Sequence, residues 1–454
     1  MTIFELNKKS ISFGLLSLSI ALGTAMLGEV TLKASILLVI IAILLSFFLK
    51  EFEVSILFLL VLRSSLDFFS QAKIPAAYGV GIEMLAVIYM VFCFISNKSI
   101  QTDSFWWLLF GWTISQGLWL LLMPLDALGS DASYLAESVR EWLRILIWPT
   151  AYFLVLQLKG KVSPQKILSV LLLALPIPIL MALFQLQNGI ERINSTFAHS
   201  NAFASFLLLF MGIVWWQYKN SSKFKGLWIT LLGGLSFLLI STKALFVLVM
   251  LLVSLLVVIL PKLNLKTLIF GILSFSLVIS LFASTDYGRS RLESTINTPL
   301  LNPEISINRG ILLSESDHNS FNWRLSHWHT VLKAWEKHSF LGYGLGLSKQ
   351  SIDSKYLPHN DYLRALIEGG ILGLFSYLVL WGIYLTQSIK LVRTSTLDSH
   401  KDLSLIITAL IIAVLVGMLT ENIWSHTVFF FYFSILFAIS SWDWNSPEIV
   451  SLTN

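Results

Sequence analysis

The stretch GLWITLLGGLSFLLISTKALFVLVMLLVSLLVVIL, residues 226–260, decides the fold. It holds one charge, Lys243, where two apolar runs meet. Each run is long enough to cross roughly 30 Å of hydrocarbon as a helix. Similar runs recur along the chain. Of its 454 residues 56% are hydrophobic and only 13% are charged, against about 25% charged in a soluble domain. The runs are continuous rather than alternating, which excludes a transmembrane barrel. The sequence therefore predicts an all-α, polytopic membrane protein. The 16 Trp fit an interfacial aromatic belt. The single Cys93 permits no intrachain disulfide.

Fourteen spans are expected, near 12–29, 33–49, 53–70, 81–96, 104–123, 142–158, 166–187, 200–218, 224–241, 243–260, 266–284, 359–386, 403–420 and 424–441. The third is interrupted by Arg63 and Asp67. The first resembles a signal peptide but reads as an uncleaved span, because further spans follow at once and no A-x-A site is clear. Lys and Arg in short loops set the orientation. One set of loops carries fifteen of them, from Lys8 and Lys9 to Lys401, and the opposite set five: Lys33, Lys73, Arg140, Arg192 and Lys243. The richer side is taken as cytoplasmic, with both termini inside and segment 285–358 outside. The net charge of +5 thus reports topology and not nucleic-acid binding. The chain divides into spans 1–11 (1–284), an outer loop (285–358), and spans 12–14 with a cytoplasmic tail (359–454), all one integral membrane domain.

Polar residues collect on the outer side. In PHNDYLRALIEGGILGL, residues 358–374, His359 opens a helix at the water boundary. Asp361, Arg364 and Glu368 share one stripe at i, i+3 and i, i+4 spacing, which reads as a charge-neutralising ladder. Glu368 lies nine residues beyond His359, on the opposite side of a straight helix. Gly369, Gly370 and Gly373 suit close helix packing. In ERINSTFAHSNAFASFL, residues 191–207, Arg192, His199 and Asn201 crowd a span entrance. They read either as a site or as a capped helix start, with Ser200 or Asn201 as N-cap and Arg192 snorkelling. Lys243 reads either as a site cation or as a snorkelling lysine.

In NWRLSHWHTVLKAWEKHSFLGYGLG, residues 322–346, Trp328, Val331, Leu332 and Trp335 recur at helical spacing with Arg324 on the Trp328 side. This predicts an amphipathic helix on the outer membrane surface. Gly342, Gly344 and Gly346 then form a turn rich in free N–H groups. No strand precedes it, so it is not a nucleotide loop. His327 and His329 splay apart on a helix and do not form a metal site.

Three of these patterns, in order, resemble the O-antigen ligase-like membrane proteins. HNDYLRALIEGGILGL is similar to that family's H-N-x-Y-L…E-x-G-x-x-G signature. RINSTFAHSNAFASFL resembles its R-x-x-G-T-F-x-H-x-N segment. NWRLSHWHTVLKAW…SFLGYGLG resembles its R-x-x-x-W…P-x-x-G-x-G segment. The likeness covers about residues 180–442 and includes the long outer loop before the His motif.

The resemblance implies a glycosyltransferase C-type helical fold in the bacterial inner membrane. It implies a periplasmic active site that passes a glycan from a polyprenyl (undecaprenyl) diphosphate to an acceptor hydroxyl, with lipid A–core the expected acceptor, and without a metal or other cofactor. It maps the catalytic arginine onto Arg324 and the histidine onto His359. It puts Lys243 where the family has arginine and Ser195 where it has glycine, and the proline before the Gly-x-Gly segment is absent. Lysine keeps the charge but loses bidentate phosphate geometry.

The residues fit that chemistry. A departing diphosphate builds negative charge that Lys243, Arg324 and Arg192 would offset. A neutral imidazole can take the acceptor's proton, and neighbouring cations favour the neutral form. His199, Asn201, Asn360, Asp361, Arg364 and Glu368 are candidates for support. Chain polymerisation with the same donor is the nearest alternative. A transporter of a small anion or lipid-linked sugar is the alternative of another class. It would need mid-span ionisable residues and matching half-repeats, whereas Arg364 and Glu368 are the main mid-span charges.

Overall fold

The computed structural model describes residues 44–122, 132–260, 265–296 and 320–446, with the short pieces 298–299, 304–306, 309–310 and 313. The expected first span and most of the second lie outside these residues. Among the described residues the regular structure is entirely helical. The helices are α1 (Phe52–Leu62), α2 (Ile74–Ile95), α3 (Ser104–Gln116), α4 (Leu118–Leu122), α5 (Ala132–Leu156), α6 (Pro164–Leu171), α7 (Pro176–Gln187) and α8 (Ser200–Asn220). They continue as α9 (Lys225–Ser241), α10 (Leu245–Ile259), α11 (Leu265–Ala283), α12 (Asp286–Ile296), α13 (Ser320–Trp335), α14 (Asp361–Thr394), α15 (Asp398–Gly417) and α16 (Thr427–Ser440).

Among the described residues five helical runs are long and apolar enough to cross a membrane alone: α2, the run Pro164–Gln187, α8, α14 and α15. α9, α10 and α16 are apolar but shorter. The chain is a polytopic helical membrane protein. Several expected boundaries move, α2 beginning at Ile74 and α14 ending at Thr394 among them. The third span stops at Leu62, and a 3-10 segment Arg63–Ala72 follows. Its Arg63 is buried, bonds Asp67 at 2.7 Å and reaches the Thr427 hydroxyl at 2.9 Å. The interruption is thus a partly buried ion pair within the 3-10 segment that follows a short helix. The span expected from 142 begins ten residues earlier, in α5.

α16 is apolar on every side and lies at the centre. Phe429, Phe431, Tyr432, Phe433, Leu436 and Phe437 are fully buried. Lipid is as apolar as these rings, so close packing rather than water exclusion holds such a helix. Phe430 stacks on Trp148 of α5 with centroids 4.1 Å apart, and Tyr377 of α14 stacks on Trp424 at 4.8 Å.

α14 is broken. Gly370 has φ 62° and ψ −161° inside it, a conformation essentially confined to glycine. The break frees carbonyls that the Gly-x-Gly-x-Gly turn satisfies. Tyr343 N–H donates to Ile367 O at 2.9 Å and Gly344 N–H to Glu368 O at 2.8 Å. In return Ile371 N–H donates to Ser339 O at 2.9 Å. Gly346 N–H donates to the Glu368 carboxylate at 2.9 Å. The turn's N–H groups, expected to be free, close a helix break instead. Gly342, Gly344 and Gly346 all take positive φ to do so. The packing role expected of Gly369 holds, since it faces the Trp119 ring, but Gly370 serves as the hinge point.

α13 docks on the first turns of α14. Val331 is buried with Tyr343 and Ile367, and Leu363 and Ala334 pack around them. Trp328 Nε1–H donates to Pro358 O at 2.6 Å. The helical face read from the sequence is therefore used partly against protein.

Candidate active site

Chain segments meet where α8, α10 and α14 begin and where α15 gives way to α16. The last of these, MLTENIWSH (418–426), joins α15 to α16. His359, which precedes α14, takes φ 52°, and Lys243, between α9 and α10, takes φ 54°. Left-handed backbone at non-glycine residues is uncommon, and such strain collects at functional positions. Ser195 also takes φ 57°. That explains its likeness to a glycine position. Here the serine is retained with hydrogen bonds, Oγ–H to Pro178 O at 2.6 Å and its N–H to Gln185 Oε1 at 2.7 Å.

The charged groups converge on Glu421, which sequence reasoning did not single out. His359 Nδ1 lies 3.3 Å from Glu421 Oε1. Arg324 Nη2 lies 3.8 Å from Glu421 Oε2. Asn201 Nδ2–H donates to the same Oε2 at 2.5 Å. Arg192 donates to Asn201 Oδ1 at 2.6 Å and to Thr242 O at 3.3 Å. Arg192 therefore ties α8 to the residue before Lys243. The Lys243 ammonium lies 3.5 Å from Glu191.

Five predicted residues, Arg192, Asn201, Arg324, His359 and, through backbone, Lys243, thus belong to one connected set. Cations are expected beside His359; the structure adds a carboxylate, Glu421, at 3.3 Å from its Nδ1. The sequence hid this: Glu421 lies 62 positions beyond His359 in an unremarked loop, and only folding brings it there.

Burial by itself would raise the Glu421 carboxyl. His359, His426 and Arg324 outweigh it and hold the group at about 2. His426 is pushed down to about 4, chiefly by burial and further by His199 and His359, against Glu421. Its Nδ1 sits 3.1 Å from the Ser205 hydroxyl. His199 and His327 are also lowered, burial being the main cause in each. His199 itself caps α8, its Nδ1 accepting from Asn201 N–H at 3.1 Å. The cap falls one residue before the positions expected, which releases the Asn201 side chain to bridge Arg192 and Glu421.

The remaining candidates are structural. Asn360 caps α14, its Oδ1 accepting from Tyr362 and Leu363 N–H at 3.0 Å each. Arg364 donates to Glu368 at 2.9 Å, to Glu141 at 2.7 Å and to Ser425 at 2.9 Å, all buried or nearly so. Asp361 lies within the electrostatic reach of Arg364 but spends its hydrogen bond on Trp424 N–H, at 2.8 Å. The stripe is thus a charge-neutralising pair recruited to Glu141, with Asp361 diverted to the 418–426 loop. Such closed pairs leave these mid-span charges committed to one another. Among the described residues no group of three or more His, Cys, Asp or Glu is placed to hold a metal ion.

Beside His359 lies an aromatic wall. Trp323 stacks on His327 with centroids 4.7 Å apart and meets His359 edge-on at 5.8 Å and Tyr356 edge-on at 5.3 Å.

Residues 226–378 match the family model described as O-antigen ligase. The match includes Lys243, Arg324 and His359, and leaves Arg192, Asn201 and Glu421 outside it. No curated protein matches the chain.

Proposed function

We propose that this chain, an O-antigen ligase-like membrane protein, transfers a glycan from a polyprenyl diphosphate to an acceptor hydroxyl at the periplasmic face of the bacterial inner membrane. The family match supports glycosyl transfer of the ligase or polymerase kind. One observation carries the assignment of residues: Arg324 and His359 lie against one buried carboxylate, Glu421, and Arg192 is linked to it through Asn201.

Arg324 and Arg192 present guanidinium forks suited to phosphate oxygens, and Lys243 adds a point charge. An incoming diphosphate competes with Glu421 for Arg324, whose contact at 3.8 Å is long enough to exchange. The acceptor O–H gives its proton to His359. The new bond to the anomeric carbon forms as the bond to diphosphate breaks, and that electron pair leaves with the diphosphate. The cations offset the charge built on the leaving group. Attack opposite the diphosphate inverts the anomeric centre. Lipid A–core is the proposed acceptor, and the lysine and arginine distribution supports a cytoplasmic side for both termini.

Purified protein in liposomes with extracted polyprenyl diphosphate glycan, candidate acceptors and EDTA tests this. Transfer to lipid A–core with EDTA present is the expected result. Growth of lipid-linked chains instead would assign polymerisation. Uptake of solute without donor lipid, with no transfer, would overturn the proposal.

A further inference from the structure

We propose that Glu421 is the positioning residue of His359, and that Asn360 and Asp361 serve to place it. The inference rests on the reading of His359 as the proton acceptor.

An ionised carboxylate only accepts hydrogen bonds. Facing Glu421 Oε1 at 3.3 Å, His359 Nδ1 must carry the proton, which leaves Nε2 as the base. Nδ1 is buried and its contact with Glu421 falls short of an aligned hydrogen bond. Bonds of this kind are commonly loose before substrate binds. As the imidazole takes the acceptor's proton it becomes a cation, and the carboxylate beside it stabilises that charge. A third group that orients the base is the general design of such proton acceptors.

The carboxylate stays put because its loop is fastened to the histidine's own motif. Asp361 N–H donates to Met418 O at 2.9 Å, and Asn360 Nδ2–H to Leu419 O at 3.1 Å. Asp361 Oδ2 accepts from Trp424 N–H at 2.8 Å. These three bonds bracket Glu421 on both sides. Within the loop, Asn422 N–H donates to Glu421 Oε1 at 3.2 Å. On the far side Asn201 holds Oε2. His359, Asn360 and Asp361 therefore work as one unit: the base, then two residues that build the seat of its partner. Glu421 lies beyond residues 226–378, so the family match does not reach it.

The test combines kinetics with nitrogen-15 NMR of histidine-labelled protein, the His359 signals being assigned by their loss in His359→Gln. Glu421→Gln is expected to lower kcat on the order of 100-fold, the scale of a base losing its orientation, with donor KM within about threefold. Glu421→Asp, which withdraws the carboxylate by about one bond of 1.5 Å, recovers part of kcat and serves if the Gln variant does not fold. The wild type is expected to show His359 protonated at Nδ1, and the Gln variant a mixture of tautomers. Unchanged kcat in folded Glu421→Gln would overturn the proposal. So would a higher donor KM with kcat intact, which would place Glu421 with Arg324 instead. Protonation of wild-type His359 at Nε2 would overturn it as well. If no donor is transferred at all, the proposed function fails, and the NMR arm still decides the pairing.

Discussion

Replacing Gly370 with alanine is expected to destabilise the protein by about 2–4 kcal/mol, and the estimate can be built from its surroundings. The residue sits at φ 62° and ψ −161°, where a side chain costs about 1–3 kcal/mol in backbone strain. A Cβ there would meet Phe340 O at 2.1 Å and Leu341 N at 2.6 Å. Both are backbone atoms and cannot swing aside. The turn and the helix must part, and losing even one of the bonds between them, such as Ile371 N–H to Ser339 O, costs about 0.5–1.5 kcal/mol. Gly382 supplies a control in the same helix, because a Cβ there meets nothing within 4 Å. Gly382→Ala is expected to be neutral or to stabilise by up to about 1 kcal/mol, from helix propensity. Thermal unfolding of the two variants in one detergent would show a midpoint clearly lower for Gly370→Ala. Equal midpoints would mean that the helix is continuous through residue 370, and the docking of the 338–346 turn would then be wrong.

Arg364→Met is expected to cost about 3–5 kcal/mol, because it leaves Glu368 buried without a counter-charge and Glu141 with Arg144 alone. Adding Glu141→Gln and Glu368→Gln should recover most of the thermal midpoint, and no recovery would refute the ladder. Lys243→Arg should retain transfer, whereas Lys243→Ala should raise donor KM; loss of kcat alone in the alanine variant would argue against a donor-binding role. Ser195→Gly relieves the positive φ but gives up the bond to Pro178 O, so its stability should lie within about 1 kcal/mol of wild type, as chemical denaturation can check. His426 has a folded value near 4, below the 6.5 of an ordinary histidine. The unfolded chain therefore takes up its proton first as pH falls. Stability from this group is full above about 6.5 and declines from there to about 4, with His199 and His327 shifted in the same direction. His426→Gln should flatten the fall in thermal midpoint across that window, and an unchanged slope would contradict it.

Apolar runs and the His, Arg and Asn motifs were readable in the sequence because each is a local pattern. The fold links His359, Arg324, Arg192 and Asn201 through Glu421. Glu421 was not readable: a lone glutamate in a short loop has no periodicity, and its role comes from contacts with residues 201, 324 and 359. The break in α14 was hidden for another reason. Two adjacent glycines in an apolar run look the same whether they pack a helix or interrupt it, and only Gly370 takes the non-helical conformation. Asp361 and Arg364 stand three apart on one helix, as a ladder demands, yet tertiary partners 63 and 223 positions away claim them instead.

Gly370 has one mechanical effect. Spanning helices tilt to match the thickness of their bilayer, and a continuous rod would carry that tilt to its tip. Here the nine residues Asp361–Gly369 are clasped by the 338–346 turn and the 418–426 loop, and the break at Gly370 lets the shaft beyond it take its own direction. The angle of the long shaft is therefore set apart from the placement of the imidazole beside Glu421.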